Sequence, residues 1–241
     1  MVRGLRIIED CMECTLREHR LFCNLPPAAV TRLQSIKTTS IFPKNTRLCL
    51  EGLPARGIFV LCTGRAKVST TSTEGKSIIL RIAEPGEVLG LTATVSNTPY
   101  EATVETLESS QANFISQADF KRFLQEFPDV GIKVTRQLTH NCQRAYDEIR
   151  SLGLSNSAPE KIAKLLLQWA GRPLLPSHAK KPQSTDIRVT LTHDEIAQLA
   201  GTSRETVSRA LSSFKKKGWL RIKGATWSIL NKGELEKMVT T

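Results

Sequence analysis

Hydrophobic positions recur at two different periods along this chain. From about 38 to 115 the apolar residues sit in short β-type runs: Thr38–Phe42, Gly57–Cys62, Arg65–Thr70, Ser77–Ile82, Ala102–Thr106 and Gln111–Ile115. Ile78, Leu80 and Ile82 alternate with Ser77, Ile79 and Arg81, although Ile79 breaks strict alternation. Pro43-Lys44-Asn45, Glu51-Gly52, Thr63-Gly64, Glu74-Gly75 and Pro85-Gly86 punctuate these runs as turns. Evenly spaced strands with glycine turns predict a compact β-roll or barrel, able to hold a ligand or to act as a scaffold.

On either side the period lengthens to that of helices. Pro26-Pro27 opens a short amphipathic helix with Val30, Leu33 and Ile36 on one side. Helices are predicted over Ala118–Phe127, from Asp129 to about Leu152, and from Pro159-Glu160 onward, the last burying Ile162, Leu165, Leu166 and Trp169. In the long helix Leu138, Cys142, Ala145, Ile149 and Leu152 follow a 4, 3, 4, 3 spacing, with Arg144, Asp147, Glu148 and Arg150 flanking them. So narrow a stripe reads as a coiled-coil seam and predicts a homodimer through this helix, the alternative being a stripe packed on its own domain's core. Gly153 to Ser157 reads as a hinge, and the Pro-, Ser- and Lys-rich stretch Gly171 to Asp186 as a loop.

Two short helices with a tight break follow, over residues 192 to 212. Ile196, Leu199 and Ala200 share one face of the first, and Val207, Ala210 and Leu211 one face of the second. Ala197 is small where the helices must approach, Gly201 supplies the positive φ that ends the first, and Ser203 or Thr202 caps the second. This is the layout of a helix-turn-helix, whose second helix fits a DNA major groove. Its outward positions are Arg204, Glu205, Ser208 and Arg209. Arginine can grip guanine O6 and N7, and glutamate can accept from cytosine N4. A short strand over Ile187–Thr190 and a hairpin of Trp219–Ile222 and Thr226–Leu230, turning at Lys223-Gly224, complete a winged helix. Thr192, Ser203, Thr206, Lys215, Lys216, Lys217 and Lys223, with Arg221, are the candidate phosphate contacts.

Charge supports a nucleic-acid partner. The net charge is +11, and the segment from Asn156 onward holds 15 Lys and Arg against 7 Asp and Glu. A basic block coinciding with the helix-turn-helix is the electrostatic footprint of phosphate binding. No apolar run approaches the roughly 18 residues of a spanning helix and the N-terminus lacks a signal-peptide core. The expected location is the cytoplasm, with no membrane partner, which makes the six cysteines thiols or ligands rather than disulfides.

Three of those cysteines open the chain. Cys11 and Cys14 form a C-x2-C pair, and Cys23 follows eight residues later. Two thiolates on one tight turn suit a metal or an iron–sulfur cluster. His19 brings the spacing near that of a zinc knuckle. The alternative is three buried thiols without a metal.

The whole arrangement resembles the Crp/Fnr family of bacterial transcription regulators, most specifically through Ser203-Arg204-Glu205-Thr206-Val207-Ser208-Arg209 and through Gly86-Glu87-x-x-Gly90. The resemblance implies an α+β chain: an N-terminal cyclic-nucleotide-binding-like β-roll (jelly roll), a long dimerisation helix and a C-terminal winged helix-turn-helix. The corresponding segments are 1–24 (cysteine-containing), 25–127 (roll), 128–156 (helix and hinge) and 157–241 (DNA-binding). It also implies a two-fold dimer on a near-palindromic operator with TGTGA-like or TTGAT-like half-sites, and contact with RNA polymerase if the protein activates. Arg204 matches a guanine reader of cyclic-AMP receptor proteins; Glu205, Ser208 and Arg209 match base readers of the Fnr branch.

The effector implied by the resemblance is less uniform. Where the cyclic-AMP branch has Gly-Glu and a phosphate-holding Arg-Ser, this chain reads Gly90-Leu91 and Tyr100-Glu101, and an acidic residue would repel a cyclic phosphate. The expectation is therefore no cyclic AMP. Cys11, Cys14 and Cys23 are similar to the cluster cysteines of the Fnr branch, which implies a [4Fe–4S] cluster sensing oxygen or redox state. The family's fourth ligand position holds Asn113, leaving Cys49, Cys62, His19 or a nearby carboxylate as candidates. Zinc, a thiol switch or a small-molecule effector in the roll are the alternatives, and a metal-binding architectural DNA protein is a rival of another class. Four histidines, no phosphate-binding glycine loop and no nucleophile–base pair argue against an enzyme.

Overall fold

The computed structural model describes residues 8–20, 22–154, 157–171 and 185–240. It divides into two compact units, 1–145 and 146–241. The division falls inside the long helix, some ten residues before the hinge expected at 153–157.

In the first unit a single 3-10 turn, Arg17–His19, precedes α1 (Pro27–Ile36), and a β-roll follows. Its strands are β1 (Thr38–Phe42), β2 (Arg47–Cys49), β3 (Gly57–Thr63), β4 (Ala66–Thr71), β5 (Ser77–Ala83) and β6 (Val88–Leu89). After α2 (Leu91–Ser96) come β7 (Thr103–Thr106), β8 (Ser110–Ser116), α3 (Gln117–Glu126) and α4 (Pro128–Leu154). Two antiparallel sheets result, ordered β1-β8-β3-β6 and β2-β7-β4-β5.

Two cores explain the strand pattern. Cys49, Leu61, Val68, Leu89, Tyr100, Val104 and Ala112 fill the space between the sheets. Phe22, Val30, Leu33, Ile58, Val60, Ile115, Phe120, Phe123, Val130 and Val134 form a second core, where the N-terminal segment, α1, α3 and α4 cover the outer face of the first sheet. β3 serves both, with Ile58 and Val60 on the helix-covered side and Leu61 on the inter-sheet side. A strand buried on both faces reads as a continuous apolar run.

β5 corrects the alternation read from sequence. Ile79 and Ile82 are buried, while Ile78 and Leu80 are exposed. A bulge shifts the β4–β5 register between Val68, opposite Arg81, and Ser69, opposite Ile79. The extra residue reverses the facing of the strand beyond it. β2, β6 and α2 carried too few apolar residues to stand out by period.

The second unit contains the end of α4, α5 (Ala158–Gly171), β9 (Thr185–Arg188), α6 (His193–Ala200), α7 (Arg204–Lys216), β10 (Leu220–Lys223), β11 (Thr226–Ile229) and α8 (Lys232–Thr240). The strands form one antiparallel sheet, ordered β10-β11-β9. Ile162, Leu165, Leu166, Ile196, Leu199, Ala200, Val207, Ala210 and Leu211 are buried as expected, Trp169 is only half-buried, and Phe214, Trp227 and, on the unanticipated α8, Leu235 are buried as well. β9 lies two residues earlier than the strand expected over Ile187–Thr190. Much of the predicted loop, 172–184, lies outside the described residues. Among the described residues no helix is long and apolar enough to cross a membrane.

Candidate nucleic-acid interface and thiol site

The reading head is assembled by local rules. Thr192 caps α6 in a capping box: its hydroxyl accepts from Glu195 N–H at 3.1 Å, while the Glu195 carboxylate accepts from Thr192 N–H at 2.9 Å. Gly201 ends α6 at φ 58°, a left-handed conformation that a side chain would strain. Its N–H and that of Thr202 both reach the Ala197 carbonyl. Ser203, not Thr202, caps α7, accepting from Thr206 N–H at 3.2 Å.

The first two turns of α7 therefore present Arg204, Glu205 and Arg209 to solvent. The Glu205 carboxyl is held below its usual value by a hydrogen bond to the helix-terminal backbone N–H and by the Ser203 hydroxyl, with Arg204 and Arg209 adding to the effect. A carboxylate acceptor flanked by two guanidinium donors is thus fixed at the end of a helix. Ser208 is placed differently: it is half-buried, and its hydroxyl lies 2.9 Å from His193 Nδ1 on α6. Thr206 is also half-buried and accepts from Arg209 Nη2 at 3.4 Å.

The expected phosphate contacts fall into separate places. Ser203 and Thr206 stand at the start of α7, and Thr192 at the start of α6. Lys215, Lys216 and Lys217 are exposed at its far end, about 16 Å along the axis from Arg204 at 1.5 Å per residue. Lys217 sits 4.5 Å over the Trp219 ring, itself stacked on Phe214. Arg221 and Lys223 are exposed on the β10–β11 hairpin.

The seam of α4 is mixed. Leu138 is half-buried against the roll's own core, whereas Cys142, Ala145 and Ile149 are exposed, Ile149 by 66%. The Leu152 side chain lies outside the described residues. Ile132 and Tyr146, which the sequence reading did not single out, add exposed apolar surface at 56% and 64%.

The N-terminal cysteines are laid against the roll. Gln111 on β8 brackets Ile8, accepting from its N–H at 2.8 Å and donating to its carbonyl at 2.6 Å. Gln34 accepts from Cys11 N–H at 3.1 Å, and Lys37 donates to the Glu9 carbonyl at 2.6 Å. Asn113, two residues along β8, puts its amide 3.9 Å from Cys11 Sγ. Cys11, Cys14 and Cys23 are half-buried, and Cys11 and Cys23 pack on the helix-covered core. Burial pushes the Cys23 thiol up to about 11, opposed by Arg20, which hydrogen-bonds it, and reinforced by Cys11 and Cys14. His19 is exposed, and Cys49 belongs to the inter-sheet core beside Tyr100.

Among the described residues no three His, Cys, Asp or Glu side chains converge on a point where one metal ion would be held. Soft thiols in a mostly dry setting, with Arg20 and Lys37 beside them, have the donor chemistry that an anionic iron–sulfur cluster needs.

Sequence reasoning missed the residue that joins this site to the rest of the unit. Arg20 is only 8% exposed, and its side chain lies across Gly86, where a Cβ would stand 2.7 Å from Arg20 Cγ. The next residue, Glu87, bonds Arg81 and also Arg144 Nη1 of α4 at 3.1 Å. A buried arginine between ligand-spaced cysteines was the available signal.

Tyr100 and Leu91, which stand where the resemblance puts the cyclic-nucleotide contacts, are both buried. Tyr100 is 7% exposed; its hydroxyl donates to the Gly57 carbonyl at 2.8 Å and accepts from Arg56 N–H at 3.2 Å. Leu91 is buried in the helix-covered core.

Comparison with known proteins agrees with this architecture. Residues 40–127 match the cyclic nucleotide-binding domain family and residues 160–238 the Crp-like helix-turn-helix domain family. The chain is 26% identical over 215 residues to a CRP-like cAMP-activated global transcriptional regulator of Mycobacterium tuberculosis, covering 88% of this chain and 93% of that protein. The fold is shared with FixK2 from Bradyrhizobium japonicum, at a TM-score of 0.73 and 21% identity over 84% of this chain and 97% of that one. It is shared too with a CooA variant from Carboxydothermus hydrogenoformans, at a TM-score of 0.73 and 24% identity over 94% and 96%. With both family matches in this order, and full-length relatives that are transcription regulators rather than enzymes, the protein is a DNA-binding regulator of the Crp/Fnr family.

Proposed function

We propose that this regulator binds a near-palindromic operator as a homodimer and responds to oxygen or redox state through its N-terminal thiols. DNA reading falls to Arg204, Glu205 and Arg209, with Ser208 contributing once its bond to His193 is exchanged. Two such heads, related by a two-fold axis, would meet half-sites about one DNA turn apart. The exposed α4 stripe of Cys142, Ala145, Tyr146 and Ile149 supports dimerisation through this helix.

The observation that carries the sensing role is the path from Cys23 through Arg20 to α4. Arg20 touches both the thiol and the Gly86 turn, and Glu87 on that turn holds Arg144. Cys11 and Cys23 also pack on the core that contains Val130 and Val134 of α4. A centre that draws the thiolates together would shift Arg20, and with it the Glu87 contact that fixes the α4 register. An iron–sulfur cluster there would supply the oxygen-labile chemistry. On this reading cyclic AMP is not the effector, because a buried Tyr100 stands where the resemblance puts a phosphate-holding arginine and Glu101 adds negative charge beside it.

Protein purified without oxygen should protect one symmetric site in a selected DNA fragment, with two half-sites about one turn apart. Operator affinity should change several-fold on admitting air and should not respond to cyclic AMP. Uniform coating of DNA would favour the architectural alternative. Affinity unmoved by air would overturn redox sensing.

A further inference from the structure

We infer that Cys62 is the fourth thiol of the N-terminal site, completing a set with Cys11, Cys14 and Cys23. This rests on the redox reading above and assigns the ligand that the family position, held here by Asn113, does not supply.

The geometry starts from the facing of β3. Ile58 and Val60 point to the helix-covered core on which Cys11 and Cys23 pack, and Leu61 points between the sheets. The residues opposite this stretch, Asn113 across from Val60 and Gln111 across from Thr63, face the N-terminal segment, and a bulge turns its extra residue to the side of the single residue opposite. The Cys62 Sγ stays on that side, 3.6 Å from the Val60 carbonyl. The β3–β8 register shifts between Leu61, opposite Ala112, and Thr63, opposite Gln111, so Cys62 is the extra, bulged residue. Bulges re-aim a side chain next to functional sites.

The partner strand brings the other thiols to the same place. Asn113 lies opposite Val60 and contacts Cys11, while Gln111, opposite Thr63, holds Ile8. The N-terminal segment therefore runs over the β3–β8 pair at the level of the bulge. From the other direction, Leu61 exchanges hydrogen bonds with the Gly86-Glu87 turn, accepting from Gly86 N–H at 2.7 Å and donating to the Glu87 carbonyl at 3.0 Å. Arg20, the partner of Cys23, lies across that same Gly86.

Burial pushes the Cys62 thiol up to about 12, with Cys23 and Cys11 adding to the rise and Arg20 and Lys37 opposing it. The other candidates sit elsewhere: Cys49 lies between the sheets, His19 is exposed, and Cys142 is on the open side of α4. Each of the four thiols would release its proton to solvent on binding iron, and the two nearby cations would offset the anionic charge of the loaded site.

The test is anaerobic reconstitution of the full chain with iron and sulfide, reading iron and sulfide per subunit and the visible absorbance. Wild type, Cys62→Ala and Cys49→Ala are compared, the last removing an equally buried thiol from the same roll. Wild type and Cys49→Ala should load alike, and Cys62→Ala should lose more than the ~10–100-fold in metal affinity that outer-shell changes cost. The double variant Cys62→Ala/Asn113→Cys, which moves the thiol to the neighbouring strand beside Cys11, should regain loading. Wild-type loading in Cys62→Ala overturns the assignment alone, as does equal loss in Cys62→Ala and Cys49→Ala. A wild-type protein that takes up no iron and sulfide overturns the redox reading and the assignment with it.

Discussion

The reading head and the thiol site are built on opposite plans. The reading head concentrates its chemistry on one helix of 13 residues, and its caps, its terminating glycine and its apolar face all lie within 25 positions of one another. The thiol site draws on the N-terminal segment, α1, β3, β8 and the turn before β6, spanning about a hundred positions. A local site shows its logic as spacing. A dispersed site shows only the fragment that happens to be contiguous, here Cys11-x-x-Cys14.

The sharpest way to break this comparison is at the reading head. Replacing Arg204 and Arg209 together by Ala should lower operator affinity by about 100-fold or more, since each good base contact is worth ~1–3 kcal/mol. Both side chains are exposed, so unfolding and iron uptake should not change. Equal operator binding in an anisotropy titration at fixed salt would show that α7 is not the reading helix.

The link between regions should respond more modestly. Arg144→Ala removes the α4 end of the Glu87 contact and leaves every thiol in place. Iron and sulfide uptake should match wild type, while the air-induced change in operator affinity shrinks by ~2- to 30-fold, the range of 0.5–2 kcal/mol of coupling. An unaltered response would place the coupling in the shared apolar core instead.

The smallest effect concerns a thiol outside both sites. Burial pushes Cys49 from 9.0 up to about 12, helped by Glu101. Below pH 9 folded and unfolded chains both hold this proton; between about 9 and 12 only the folded chain does, so stability falls as pH rises through that window. Denaturant unfolding of metal-free Cys49→Ala should show a shallower alkaline decline than wild type. An identical slope would mean that Cys49 ionises freely in the fold.

Why the roll was legible and its details were not follows from the same contrast. A strand such as β3 announced itself because β-branched and aromatic residues fill surfaces that are buried. β2, with three residues, and β6, with two, hold their places through pairing with β7 and β3, which leaves no period to read. The bulge in β5 is likewise a property of the pair: Ile78 and Leu80 look like core residues until the register with β4 turns them outward.

By itself the sequence determined the two helices of the helix-turn-helix, the glycine between them, the basic charge around them and the two-part division, because each depends on near neighbours along the chain. Only the tertiary structure decided that Ser208 pairs with His193, that Leu138 belongs to the roll, that Tyr100 is buried against Gly57, and that Arg20 lies across Gly86. The physical reason is common to all four. A side chain's partner across a fold is set by strand register and helix packing, which sum many weak contacts and leave no spacing in the chain.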